Sequence, residues 1–91
     1  MILSFKNKGL RELFEKGKSA KIHKDYHKRC LVRLDVIDAA EKLEELNLPG
    51  FDFHALEGSP KRYSIHVNGP MCITFEWSDG EASRLDFENY H

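Results

Sequence analysis

The stretch Tyr63-Ser64-Ile65-His66-Val67-Asn68-Gly69-Pro70-Met71-Cys72-Ile73-Thr74-Phe75-Glu76-Trp77 decides the fold. Apolar side chains fall at every second position on both sides of Asn68-Gly69-Pro70. That period belongs to β-strands with one buried face. Parity sets the pairing. Tyr63, Ile65 and Val67 share a face with Met71, Ile73 and Phe75 only if an odd number of residues joins the strands. Asn68-Gly69-Pro70 supplies three. Leu85 and Phe87 extend the alternation beyond Asp79-Gly80. The same parity favours a three-residue loop, Asp79-Gly80-Glu81. Glu76 then faces Arg84, a favourable cross-strand charge pair, and Thr74 faces Asp86. Ser64, His66, Cys72, Thr74, Glu76, Arg84, Asp86 and Glu88 fall on the opposite face, expected to stay wet and open to a ligand.

Working outward, residues 51–56 read as a strand before this hairpin, and the short apolar run 2–5 as a first strand. Leu10, Leu13 and Phe14 follow helical spacing, and Gly17 is placed to end that helix. Asp25 can cap a long second helix in which Cys30, Leu34, Ile37, Ala40 and Leu43 form one apolar stripe. Asn47-Leu48-Pro49-Gly50 stops it. The expected architecture is therefore α+β. Two N-terminal helices cover one face of a mainly antiparallel, twisted sheet of four to five strands, and residues 1–91 form one domain.

Charge is divided unevenly. Residues 6–33 carry ten Lys/Arg against three acids, a balance of +7, and residues 34–91 carry four against twelve, a balance of −8. A basic segment on a near-neutral chain suits a polyanion or an acidic partner. No apolar run approaches the roughly 20 residues that span a bilayer. Cys30 and Cys72 have neither zinc nor redox spacing, as expected of a reduced cytoplasmic protein without membrane association. His23 and His27 have the i, i+4 spacing of a metal pair but lack an evident third ligand, so neither a metal nor a cofactor is expected.

The ordered set of short motifs resembles HigB toxins, the plasmid-maintenance killer proteins of the RelE/ParE superfamily. Ile2-Leu3-Ser4-Phe5-Lys6-Asn7-Lys8-Gly9-Leu10 is similar to the family's I-x-S-F-x-x-K-G-L start, and Leu13-Phe14-Glu15-Lys16-Gly17 to its L-F-x-x-G. Leu34 to Ala40 resembles L-x-x-I/L-D-A-A, and His54-Ala55-Leu56-Glu57-Gly58 resembles H-P-L-K-G. Ser64 to Val67 and Ile73 to Phe75 match S-I-x-V and I-T-F, and Asn89-Tyr90-His91 resembles a terminal D-Y-H. The resemblance covers the chain from end to end. It implies a RelE-like fold and a type II toxin that cuts mRNA in the ribosomal A site and inhibits translation. It also implies a HigA-like helix-turn-helix antitoxin, and operator DNA bound through the complex.

Metal-free RNA cleavage begins when a 2′-OH attacks the adjacent phosphorus. It needs a base for that hydroxyl, an acid for the departing 5′-oxygen and positive charge at the phosphate. Histidine suits the first two roles because it titrates near working pH. By family position, His54 and His91 are the acid–base candidates, Tyr90 orients the nucleotide, and Asn89 takes the place of the terminal Asp. Lys61 and Arg62 are the expected phosphate ligands. Arg84 is a further one, shared with its pairing to Glu76. Glu57 stands where the family has Lys, and Cys72 where it has the Arg before I-T-F. These two departures keep open a weakened or inactive toxin that survives as an antitoxin- or operator-binding module. A ParE-like gyrase poison is the other alternative, though it has no evident need of a paired acid and base.

Overall fold

A computed structural model describes residues 1–89. The first helix, α1, spans Lys8–Lys16. The Asn7 side chain accepts the Leu10 N–H at 2.9 Å and starts it. Gly17 ends it at φ 80°, returning its N–H to the Leu13 carbonyl. That left-handed conformation suits glycine, which has no Cβ to clash. Leu10 and Leu13 are fully buried, as their spacing requires.

The second helix is shorter than its apolar stripe suggested. α2 spans His27–Ala39, with separate 3-10 turns at Lys24–Tyr26 and Leu43–Leu46. Asp25 lies inside the first turn and does not cap α2; its N–H donates to His23 Nδ1. At the other end Ala40 is extended, and the Glu45 carboxylate accepts the N–H groups of Glu41 and Lys42 at 2.6 and 2.7 Å. Those bonds satisfy donors that a continuing helix would use internally, so the chain turns there instead. The turn carries Leu46 into the core, where it is fully buried. Cys30, Leu34, Ile37 and Ala40 remain one buried stripe.

Four strands follow: β1 (His54–Leu56), β2 (Arg62–Asn68), β3 (Met71–Ser78) and β4 (Glu81–Asn89). They form an antiparallel sheet in the order β1-β2-β3-β4. The strand expected at 51–56 is thus confined to its last three residues. Residues 2–5 do not form a strand. Ile2 and Phe5 make isolated parallel bridges to Ala82 and Leu85, which still line the outer edge of β4 with backbone. Ile65, Val67, Ile73, Phe75, Ala82 and Leu85 face the helices in one apolar cluster. α+β architecture with both helices on one sheet face is what the two periods call for. Among the described residues, no helix is long and apolar enough to cross a membrane.

The central register is the one parity demanded: Tyr63 pairs with Phe75, Ile65 with Ile73 and Thr74 with Asp86. The loops differ. Both hairpins close with two residues, Gly69-Pro70 and Asp79-Gly80, and each hairpin carries a bulge that restores the parity. Asp79 and Gly80 adopt φ 51° and 78°, the left-handed pair that matches strand twist. The β4 bulge falls at Arg84, φ 53°, so Glu76 is opposite Ser83 rather than Arg84. The expected ion pair forms nonetheless, with Arg84 Nε 3.3 Å from Glu76 Oε2.

Candidate functional site

The sheet face away from the helices is less open than alternation implied. Ser64 and Thr74 are fully buried on it and Cys72 nearly so. Their neighbours fold over the sheet. The Arg62 Nη1 donates to Thr74 Oγ1 at 3.3 Å and to Glu88 Oε2 at 2.8 Å, and the Thr74 hydroxyl donates to the same carboxylate. Burial by itself pushes the Glu88 carboxyl up. The Thr74 and Arg62 donors, with the Arg62 charge, outweigh it and hold the group below the usual carboxylate range.

Two recesses flank this buried centre. One, of about 370 Å³, is lined by Lys6, Pro60, Arg62, Glu76, Arg84 and Glu88. It gathers two of the expected phosphate ligands, Arg62 and Arg84, but each is engaged with a carboxylate. Lys61 is exposed immediately before β2. The other recess, of about 550 Å³, is lined by Asp52, His54, Ala55, Leu56, Glu57, His66 and Cys72.

His54 reaches the second recess from β1, the edge strand. Its Nδ1 donates to the Asp52 carbonyl at 2.8 Å. A carbonyl only accepts, so Nδ1 carries a proton, and in the neutral ring Nε2 holds the lone pair. Asp52 makes the contact from a left-handed conformation, φ 44°, which aspartate tolerates better than most residues. Behind this segment the buried Arg33 side chain donates Nε to the His66 carbonyl at 2.6 Å and Nη2 to the Gly50 carbonyl at 3.4 Å. Its guanidinium lies 4.6 Å from the Phe51 ring centroid. The His66 N–H donates to the Phe51 carbonyl at 2.6 Å. One side chain of α2 thereby ties both histidine-bearing segments together.

His54 and His66 share a recess, whereas Arg62 and Arg84 belong to its neighbour. Asn89 ends β4 opposite Met71 and is exposed. Tyr90 and His91 lie outside the described residues. His66 was visible in the sequence only as an open-face residue. Its neighbourhood with His54 depends on the β1–β2 register, which nothing local specifies. The His23–His27 spacing does not lie on one helix: His23 caps a 3-10 turn, and His27 Nε2 donates to the Ile22 carbonyl at 2.8 Å. Burial pushes the Cys30 thiol up to about 12, which removes it as a nucleophile at neutral pH.

A family model described as the RelE-like toxin of the type II toxin-antitoxin system HigB matches residues 3–91. The chain is also 41% identical over 92 aligned positions to the Endoribonuclease HigB of Proteus vulgaris, with 100% of both chains covered.

Proposed function

Because the chain belongs to the HigB-like toxins of type II toxin–antitoxin systems, we propose that it is an endoribonuclease that cleaves mRNA on translating ribosomes in the cytoplasm. The observation that carries the reading is His54. It is an edge-strand imidazole in an open recess whose bonded nitrogen is anchored to backbone and whose other nitrogen is left for proton exchange. In this reading His54 serves as one of the acid–base groups at the scissile phosphate. Tyr90 and His91 supply the groups the family has at its terminus, with Asn89 beside them. Lys61, Arg62 and Arg84 hold flanking phosphates. The chemistry needs no metal or cofactor, since two proton-exchanging side chains and a cation suffice for attack by the 2′-OH.

A toxin of this family has a cognate antitoxin. A HigA-like helix-turn-helix protein fits that role, with operator DNA bound by the complex. One observation favours the weakened-toxin reading. The described lining of the His54 recess holds Asp52 and Glu57 but neither Lys nor Arg. Cleavage mapping on translated and naked mRNA separates the two. Wild-type protein is expected to cut only the translated message, and His54→Ala to cut it about 10²-fold or more slowly. Cys72→Arg, which places a guanidinium in the recess, is expected to raise cleavage. An inert wild-type protein whose Cys72→Arg variant cuts would establish the weakened toxin.

A further inference from the structure

We propose that the recess lined by Lys6, Arg62 and Arg84 is a subsite for one non-scissile RNA phosphate, gripped jointly by Lys6 and Arg84; this rests on the endoribonuclease reading. Charge patterning placed Lys6 only within the basic N-terminal segment. The fold separates it from the helical layer. Phe5 packs against the core cluster, and the next residue has its N–H fixed to the Leu85 carbonyl at 2.8 Å. Lys6 thereby lines the recess of about 370 Å³, with Arg62 from β2 and Arg84 from β4. Three cations from three separate segments converge on one concavity.

The backbone delivers two of them together. Arg84 stands at φ 53°, a conformation uncommon for a residue with a Cβ. Its N–H donates to Ser4 Oγ at 2.9 Å, and the Leu85 N–H donates to the Ser4 carbonyl at 3.2 Å. The segment that fixes the bulge is thus the one that carries Lys6. Residues held in such conformations cluster at ligand clamps, where the surroundings over-determine them.

Carboxylates hold the cations in the structure, but unequally. Glu88 lies 2.8 Å from Arg62 Nη1, Glu76 3.3 Å from Arg84 Nε and Asp86 3.9 Å from Lys6 Nζ. The Lys6 and Arg84 side chains are 57% and 60% exposed, against 32% for Arg62. Exposed ion pairs are weak and yield readily to a better acceptor. A phosphodiester is one, since its two non-bridging oxygens accept a guanidinium fork and an ammonium together. Arg62, bonded to both Thr74 and Glu88, stays as the fixed wall. His54 lines the other recess, so the phosphate held here flanks the scissile one.

The test uses ribosomes programmed with a short mRNA carrying one A-site codon, with cleavage followed against protein concentration. Lys6→Gln and Arg84→Gln are each expected to raise the half-saturating concentration about tenfold, while the maximal rate falls far less. Arg84→Lys keeps the charge without the fork and should recover part of the loss. Melting temperatures report any damage to the bulge, and Lys6→Gln, which leaves the bulge untouched, then decides. A second series replaces one phosphate at a time beside the scissile bond with an uncharged methylphosphonate. At one position the wild-type protein should weaken as the variants do, and the variants should lose nothing more. Half-saturation of both Gln variants at the wild-type concentration overturns the proposal, as do losses that add at every position. Wild-type protein that leaves the codon intact at every concentration sinks the endoribonuclease reading itself, a result distinct from each of these.

Discussion

Glu88 shows how much one side chain can organise on a sheet face. It sits under Arg62 and against Thr74, and those two donors keep its carboxyl ionised below the usual range despite burial. A carboxyl with a lowered folded-state pKa stabilises the fold above its unfolded value. That contribution disappears as pH falls through the lowered value. Glu12, held down by Lys21 and Ser19, and Glu45, held down by the N–H groups of Lys42 and Glu41, have the same sign. The melting temperature should therefore decline between about pH 5 and pH 3. Glu88→Gln should lower it at pH 7 and flatten part of the acid slope, as followed by circular dichroism. A Gln variant that melts like wild type across that range removes Glu88 from the account. Arg62 illustrates what the sequence hid: the expected phosphate ligand also pairs with this carboxylate.

At the scale of elements, α2 does more than cover the sheet. Arg33 reaches from it to the carbonyls of Arg29, Gly50 and His66, and Arg29 adds a bond to the Val67 carbonyl. Burial pushes the Arg33 guanidinium down, yet arginine stays charged in proteins, so its donors must be met by acceptors. Arg33→Met leaves the part-buried His66 and Gly50 carbonyls without this donor and should cost about 1–3 kcal/mol in urea unfolding. Arg33→Lys should recover little of this, because an ammonium cannot fork to separate carbonyls. A loss under about 0.5 kcal/mol would mean water replaces the guanidinium without penalty. The helix that sequence periodicity ran on to Leu43 is cut at Ala39 by Glu45. An apolar stripe reports which residues face the core, not whether the backbone between them stays helical.

Across the whole molecule, the exposed cations of the helical layer and the His54 recess lie on opposite sides of the sheet, while Lys6, Arg62 and Arg84 line the neighbouring recess. Exposed cations including Lys8, Lys16, Lys18 and Lys28 belong to the helical layer, while the His54–His66 recess opens on the other face. One of the ten basic residues of the N-terminal segment, Arg33, is buried and adds nothing to that surface. In the proposed function the helical layer is expected to face phosphates rather than to take part in the chemistry. Replacing Lys16, Lys18 and Lys28 with Gln should weaken ribosome binding at low salt. It should reduce the slope of log K against log salt by about 2. The same slope in both proteins would assign the basic layer to a different, acidic partner.

Strand alternation, helix spacing, the Gly17 stop and the parity of the central hairpin were legible in the chain, because each is a local backbone periodicity or a short-range bond. So was His54 as a candidate, through its place in an ordered family pattern. The tertiary structure alone decided where the two bulges fall, that Ser64 and Thr74 are buried, and that His66 shares the recess of His54. These depend on contacts between residues distant in sequence. A one-residue bulge shifts a strand's pairing for fractions of the energy that core packing supplies, so packing, not local preference, selects it.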